Sequence, residues 1–344
     1  MNATARVSML LIALTACGGG AKETNTTPAS SEAAAVEAAP AAAATAASKG
    51  SRMGKGAQAA RARSTFAMIP KGVQLVGGVS VAQLRRSAAW PALRKAAEDR
   101  TGSEVRDTIQ LCKMDPFEVV DTVEFGIANV GAGGEDMAIV VNGSFTRAGI
   151  AQCAKAIAAK ENETMMVTDE GSATSYATGK EAVWTGWPAD GTVVFGGAER
   201  DVAWINDRIA GKDSVRGDDA FMEAVGNADT GATAWMVFVD DANGQLQMLA
   251  GFFGGRTPTS VFASLQIAEG ARAEIGFVFE TPDDADVAIE AINKAIEPLK
   301  NDPAMGKYIA ASRVSRFGAN AVVELDLNKQ QFEELIQGVL TQGF

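Results

Sequence analysis

Two parts of the chain repeat the same order of elements, and this repeat constrains the fold more than any other feature. Residues 73–80 and 232–239 are apolar runs with the length and composition of buried strands. Each is followed by a short helical pattern, a pair of strand-like runs and a longer helical pattern. We therefore predict an α+β fold of two related halves, 65–215 and 216–344, each an antiparallel sheet with helices packed on one face.

The hairpins and the helices after them show the repeat most clearly. In the first half, the alternating run 123–127 predicts a strand that pairs with 137–145 across a glycine-rich turn. In the second half, 260–268 and 273–280 predict the same hairpin. An apolar helical face follows each hairpin: Ile150, Cys153 and Ile157 in the first half, and Val287, Ile292, Ile296 and Leu299 in the second.

Composition excludes several classes of function. Histidine is absent, which excludes catalytic triads that use it, zinc sites that contain it and pH switches based on it. The formal net charge of −11 is unevenly distributed, because residues 1–63 hold seven Lys and Arg against three Asp and Glu. Residues 64–344 therefore carry a net charge of −15. Such an acidic body would repel a phosphate backbone, so we predict no nucleic-acid partner.

The chain begins with the three zones of an export signal. Arg6 lies in a short first zone, an apolar stretch covers 7–14, and small residues precede Cys17. The stretch is shorter than the roughly 20 apolar residues that a membrane-spanning helix needs. The tetrapeptide Leu14-Thr15-Ala16-Cys17 resembles the lipobox of bacterial lipoproteins.

The lipobox resemblance implies that residues 1–16 are a signal peptide and that Cys17 becomes the acylated first residue, carrying diacylglyceryl and an amide-linked acyl chain such as palmitate. Two or more acyl chains anchor a protein stably, whereas one does not. Gly18 stands where an inner-membrane retention signal would have Asp, which implies the outer membrane, facing the periplasm. The alternative is an ordinary secretory signal that leaves Cys17 as a thiol.

Residues 17–64 join the predicted anchor to the body. They are dominated by Ala, Gly, Ser, Thr and Pro, and this composition predicts a disordered, flexible tether. The end of the tether holds five basic residues and no acidic one: Lys49, Arg52, Lys55, Arg61 and Arg63. They are interpreted as part of a solvated linker, or alternatively as attracted to anionic lipid or cell-wall polymer.

The body resembles uncharacterised bacterial lipoproteins that have a tether and a duplicated α+β region. The residues behind this resemblance are Ile69-Pro70, Trp90-Pro91, Cys112 with Asp115-Pro116, and Val120-Asp121-Thr122-Val123. The resemblance implies no activity.

Lipidation of Cys17 would leave two cysteines, Cys112 and Cys153, in an oxidising periplasm. We predict that they form a disulfide bond, with two buried free thiols as the alternative.

A pair of indoles is the strongest candidate for ligand binding. Trp184 and Trp187 lie near a predicted turn, where two indole rings can stack on sugars or insert at a membrane surface. The alternative is aromatic packing within a hairpin. Trp184 and Trp187 are therefore candidate contacts of a cell-wall glycan.

Acidic residues offer no stronger site. The cluster at 283–286 lacks the glycine and the distal glutamate of a calcium loop, and it fits a helix N-terminus. Glu118, Asp121 and Glu124 could supply the carboxylate pair of a glycosidase, but we interpret them as the solvent-facing side of a strand. We predict no catalytic residue, no metal and no cofactor.

These observations favour a lipid-anchored periplasmic protein of the cell envelope that binds or scaffolds and is not an enzyme. The predicted partners are the membrane, through the lipid anchor, and envelope proteins or cell-wall glycan. Two alternatives stay open: a carboxylate-dependent cell-wall hydrolase, and a carrier of lipid or lipoprotein whose curved sheet encloses an apolar cavity.

Overall fold

The structure is a computed structural model that describes residues 65–101, 103–130, 137–179, 181–197, 200–239, 244–303 and 305–342. The predicted signal peptide, Cys17 and the predicted tether lie outside these residues, as does the predicted glycine-rich turn at 131–134. Among the described residues, no helix has both the length and the apolar character needed to cross a membrane.

The first half alternates strands with helices. A 3-10 turn at Phe66–Met68 comes first. It is followed by β1 (Leu75–Ser80), α1 (Val81–Arg86), α2 (Trp90–Thr101), α3 (Ser103–Cys112), α4 (Pro116–Val119), β2 (Val120–Ile127), β3 (Met137–Gly143), α5 (Arg147–Lys160), β4 (Met166–Glu170), β5 (Ala173–Thr178), β6 (Glu181–Ala189), β7 (Thr192–Gly196) and α6 (Val202–Ile209). Ser80 caps α1, because its side-chain oxygen accepts a hydrogen bond from the backbone N–H of Gln83.

The second half begins after a 3-10 turn at Val215–Gly217. It contains α7 (Asp219–Asn227), β8 (Ala234–Val239), a 3-10 helix (Leu246–Phe253), β9 (Ser260–Ile267), β10 (Ala271–Val278), α8 (Pro282–Ile296), a 3-10 turn (Pro298–Asn301), α9 (Gly306–Ile309), β11 (Ser312–Phe317), β12 (Asn320–Leu327) and α10 (Lys329–Gln342). Thr281 caps α8, and Asp283 and Asp284 lie in its first turn, where negative charge is stabilising.

The strands of both halves form one 12-stranded sheet, in the order β11-β12-β10-β9-β8-β1-β2-β3-β7-β6-β5-β4. Every pairing is antiparallel. The predicted α+β class is therefore confirmed. The sheets of the two halves are joined edge to edge through β1 and β8, so they are parts of a single sheet.

The strand order also shows how the two halves are related. In the first half, the meander β1-β2-β3 leads into α5, and β7 returns beside β3. In the second half, β8-β9-β10 leads into α8, and β12 returns beside β10. Strand β6 lies beside β7 in the first half, and β11 lies beside β12 at the corresponding position of the second half. Strands β4 and β5 extend the first half beyond this common plan.

Helices α5 and α8, which follow the two hairpins, pack on the same face of the sheet, which we call the first face. Ile150 of α5 shares a buried cluster with Val123 and Phe195, and Ile292 of α8 shares one with Phe277. Cross-strand partners lie on one face, and the register from β2 to β10 places Val123 and Phe277 on the same side. The prediction of helices on one face thus describes the two helices that follow the hairpins.

The opposite, second face is covered by shorter elements. Ile205 of α6 lies over Gly186 and Val194, and Phe221 of α7 belongs to a buried cluster with Trp235. The structure therefore adds a second helical layer to the predicted one.

Residues 65–70, which we call the entry segment, also lie on the second face. Phe66 and Ile69 are 1% and 0% exposed. The Phe66 ring meets Trp235 of the second half edge to face at 5.7 Å, whereas Ile69 lies over Gly126 of the first half. The carbonyl of Ile69 accepts a hydrogen bond from the N–H of Val215. The entry segment therefore connects both halves and the turn between them.

The predicted disulfide bond is confirmed. Cys112 at the end of α3 is bonded to Cys153 in α5, with their Cα atoms 4.5 Å apart. Both cysteines belong to a small apolar cluster with Leu111 and Ile157. The bond fastens the helical layer of the first half.

Two glycines in β1 let the halves interlock. A Cβ atom at Gly77 would lie 2.6 Å from Cζ of Phe125 on the first face. At Gly78, a Cβ atom would lie 2.6 Å from Nε1 of Trp235 and 3.2 Å from Cγ of Glu124 on the second face. Side chains from β2 and β8 thus occupy the space above β1.

We expect Gly78→Ala to lower the free energy of unfolding by about 1–3 kcal/mol, because the new methyl group displaces packed side chains. Gly226→Ala is the matched control, since a Cβ atom in that part of α7 meets nothing within 4 Å. The control should raise stability by about 0.5–1 kcal/mol, as alanine favours helix. Urea unfolding measures both values, and a Gly78→Ala protein as stable as wild type would contradict this account.

Candidate functional site

The two predicted indoles do not form one site. Trp187 is 5% exposed, meets the Phe145 ring edge to face at 6.1 Å, and donates its indole N–H to Oγ1 of Thr185. Trp184 pairs with Ser175 in the next strand and is half-buried. Because β6 continues through both positions, their spacing of three residues places the indoles on opposite faces of the sheet. A sugar-stacking platform needs both rings on one accessible surface.

Three acidic residues predicted to share the wet side of a strand are separated by the structure. Glu118 lies in α4 and pairs with Arg94 at 2.8 Å, whereas Asp121 pairs with Arg85 at 2.7 Å. Glu124 lies in β2 and is only 9% exposed. The interpretation of Glu124 as solvent-facing is wrong, because the entry segment and Trp235 cover the second face at this point.

Glu124 is a buried carboxyl group whose pKa is strongly raised in the folded protein. Its side chain shares the space above Gly78 with Trp235 and is hydrogen-bonded to the side chain of Thr65. Its Oε2 atom is buried without a hydrogen-bond partner. Burial raises the pKa of Glu124 to about 7, and the bond to Thr65 opposes this shift more weakly.

A carboxyl group with a pKa near 7 is suited to acid or base chemistry. A glycosidase, however, uses two carboxylates that flank one bond. Burial raises the pKa of Glu124 and the bond to Thr65 lowers it, so no second carboxylate contributes to the shift. Glu124 therefore stands as a buried acid in the sheet, positioned where the entry segment joins the body.

A polar network fastens the start of α5 to β4 and β5. The Nε atom of Arg147 donates to Oγ1 of Thr174 at 2.6 Å, and its Nη2 atom pairs with Asp169 at 2.7 Å. Tyr176 lies near this network, and burial raises its pKa to about 12. These contacts hold the start of α5 against β4 and β5.

Arg208 at the end of α6 is a buried cation, only 5% exposed. Its guanidinium lies 5.7 Å from the centre of the Trp204 ring, and its Nη1 atom donates to the carbonyl of Asp213 at 3.4 Å. Its Nε atom has no hydrogen-bond partner, and burial lowers its pKa. Stacking on the indole accounts for its position.

An apolar surface on the first face is the strongest candidate for binding. Met236 of β8 and Ile275 of β10 are 40% and 43% exposed, although both strands have neighbours on each side. Ala263 of β9 lies between them in register. We call these three side chains the open sheet surface. Its cross-strand row continues to Gly77 on one side and Val323 on the other, so the row of five carries no charge.

Solvent-exposed sheet faces are normally polar, because half-buried antiparallel strands alternate apolar and polar residues. An apolar group exposed in the middle of a sheet is therefore typical of a contact surface. The open sheet surface depends on cross-strand pairing, and the periodicity of single strands does not reveal it.

A cavity of about 80 Å³ lies on the second face. Asn227, Glu274, Phe317 and Asn320 are among the residues that line it, and Nδ2 of Asn320 donates to Oδ1 of Asn227 at 3.1 Å. Ligand sites usually have volumes of about 300–1,000 Å³. This cavity is too small for a metabolite.

No group of three or more potential ligands for a metal ion occurs in the part of the chain that the structure describes. Cys17 lies outside that part, so its lipidation stays a prediction.

Comparison with known proteins gives a structural similarity and no family. No protein-family model and no curated protein matches the chain. Among solved structures, the chain is similar to crystal form I of TP0453, with a TM-score of 0.46 and 11% sequence identity. The similarity covers 80% of this chain and 97% of that chain. It concerns the fold and carries no information about function.

We expect Trp187→Ala to lower the free energy of unfolding by about 3–5 kcal/mol, because it leaves a large cavity in the core. Trp184→Ala is the matched control and should cost clearly less, since that indole is half-buried. Urea unfolding followed by circular dichroism measures both. Equal losses would contradict the placement of the two rings.

We expect Glu124 to make stability depend on pH. Its native pKa of about 7 lies above the ordinary value of 4.5, so the native state retains a proton that the unfolded chain releases. The stabilisation is complete below pH 4.5 and is lost as the pH rises to 7, by about 1.4 kcal/mol per unit and about 3 kcal/mol in total.

Glu124→Gln should remove this loss, so its stability relative to wild type increases from pH 4.5 to pH 7. Glu290→Gln, at an exposed position of α8, is the control and should follow wild type. Urea unfolding at pH 4.5, 5.5, 7 and 8 gives the curves. Parallel curves for wild type and Glu124→Gln would show that Glu124 does not titrate in this range.

Proposed function

We propose that this chain is a lipid-anchored binding protein of the bacterial cell envelope. In this proposal Cys17 carries the anchor, the body faces the periplasm from the outer membrane, and the open sheet surface contacts an apolar segment of another envelope protein. The protein acts by binding or scaffolding and does not catalyse a reaction.

The open sheet surface is the observation that carries the proposal. Met236, Ala263 and Ile275 span three neighbouring strands, which corresponds to about 10 Å. Leaving Met236 and Ile275 at 40% and 43% exposure forgoes hydrophobic stabilisation that a covering element would supply. A bound partner that covers these side chains would recover it.

Two further features support the envelope location. The tetrapeptide that ends at Cys17 resembles a lipobox. The bond between Cys112 and Cys153 is of a kind that persists in oxidising compartments such as the periplasm.

A carrier of lipid is the second candidate, and one observation favours it. The row from Gly77 to Val323 through the open sheet surface is free of charged side chains, as a surface for an acyl chain would be. The hydrolase alternative has no such support, because Glu118, Asp121 and Glu124 lie in separate environments.

We expect a benzophenone side chain at position 275 to cross-link to one defined envelope protein when the full chain is made in living bacteria. The matched control is position 166, because Met166 is also an exposed apolar side chain, 63% exposed, on edge strand β4. Met236→Lys should weaken the cross-link at 275 without changing the low background at 166. Mass spectrometry identifies the adducts.

The outcomes of this cross-linking separate the candidates. A lipid adduct at 275 in place of a protein adduct would replace the proposal by the carrier. Equal labelling at 275 and 166 would contradict a binding role for the open sheet surface.

A further inference from the structure

We propose that the 3-10 helix Leu246–Phe253 lies on the bilayer surface and inserts Met248 and Phe252 among the lipids. The body would then touch the membrane at a second point, separate from the acyl chains on Cys17. This inference rests on the lipid anchor of the proposed function.

Met248 and Phe252 are the two most exposed large apolar side chains among the described residues, at 75% and 70%. The opposite side of the same helix is fixed to the body, since Leu246 and Phe253 are each 4% exposed. One side of this short helix is therefore core and the other is an apolar surface.

The helix is held firmly in this position. The Phe253 ring packs against Phe277 and Phe279, with ring centres 4.6 and 5.8 Å apart. Gly254 ends the helix with φ of 63° and lies against Val287 of α8. The exposure of Met248 and Phe252 thus belongs to a packed element.

The surroundings of the helix in sequence are nearly free of charge, although residues 64–344 carry a net charge of −15. From 244 to 268 the sequence has one charged residue, Arg256, and its guanidinium pairs with Asp284 at 3.2 Å. A segment without charged side chains of its own can enter lipid without removing water from such groups, which is costly. Phenylalanine is also typical of the apolar side of helices that lie in the membrane interface.

The proposed lipid anchor would allow a contact of only two side chains to hold the body on the membrane. Stable protein–protein interfaces bury roughly 1,200–2,000 Å², far more than two side chains can provide. The 47 residues of 18–64 have the composition of a flexible linker. A flexible linker of that length spans about 35–40 Å on average. A body tethered so near the bilayer binds it as an intramolecular partner, so a weak contact suffices.

The test uses the full lipidated chain, purified from membranes and reconstituted into vesicles of phosphatidylethanolamine and phosphatidylglycerol. Phe252→Cys is labelled with an environment-sensitive fluorophore, and Met166→Cys, labelled in the same way, is the matched control. Met166 is 63% exposed and lies on edge strand β4 at the far end of the sheet. Lipids with brominated acyl chains should quench the label at 252 at least twofold more strongly than the label at 166.

Flotation and acyl mass on Cys17 are measured on the same samples, which separates this inference from the proposed function. A chain without acyl mass that does not float with vesicles would overturn the anchor. A chain that floats while the labels at 252 and 166 are quenched equally would overturn the second contact alone. Shielding of the label at 252 in solution without vesicles would also overturn it, because a second copy of the chain would then cover the helix.

Discussion

The pairing of β1 with β8 is the contact on which the rest of the structure depends, because it makes one sheet from two halves. It is possible in this form because Gly77 and Gly78 leave both faces of β1 bare. Phe125 fills the space on the first face, and Trp235 fills it on the second. The halves are therefore joined by backbone hydrogen bonds and also by side chains that cross the joint. The entry segment strengthens the same joint, since Phe66 packs on Trp235.

Because side chains cover the β1–β8 pairing on both faces of the sheet, Glu124 is buried. The carboxyl lies where the entry segment, β1 and β8 meet, and it has one partner, Thr65, for two oxygens. Its pKa is raised because neither face of β2 is open to solvent at that position, so the carboxyl is buried. Protonation relieves the cost of burying a charge there. We therefore expect the stability of the sheet at this joint to depend on pH.

The sequence predicts the hairpins and helix starts, which depend on neighbouring residues. It does not predict strand pairings between residues far apart in the chain. The hairpins β2–β3 and β9–β10 follow from local alternation, and Ser80 predicts its helix start. The joining of the halves does not, because it arises between strands separated by more than 100 residues. Strand β4 was missed since its side chains are mostly exposed and show no apolar alternation. The two indoles were expected on one surface because a turn was predicted near them. In the structure β6 continues through both positions, and its register shifts between Gly186 and Ala189.

The two halves share one order of strands and helices but differ in which apolar side chains of the sheet are exposed to solvent. In the first half, Trp187 is buried, and the Cys112–Cys153 bond fastens the helices that cover its sheet. The second half has no disulfide among its described residues, and it leaves Met236 and Ile275 exposed on its sheet. Its 3-10 helix displays further apolar side chains to the solvent. In the proposed function, the second half is therefore the half that contacts other molecules, through the open sheet surface and the 3-10 helix.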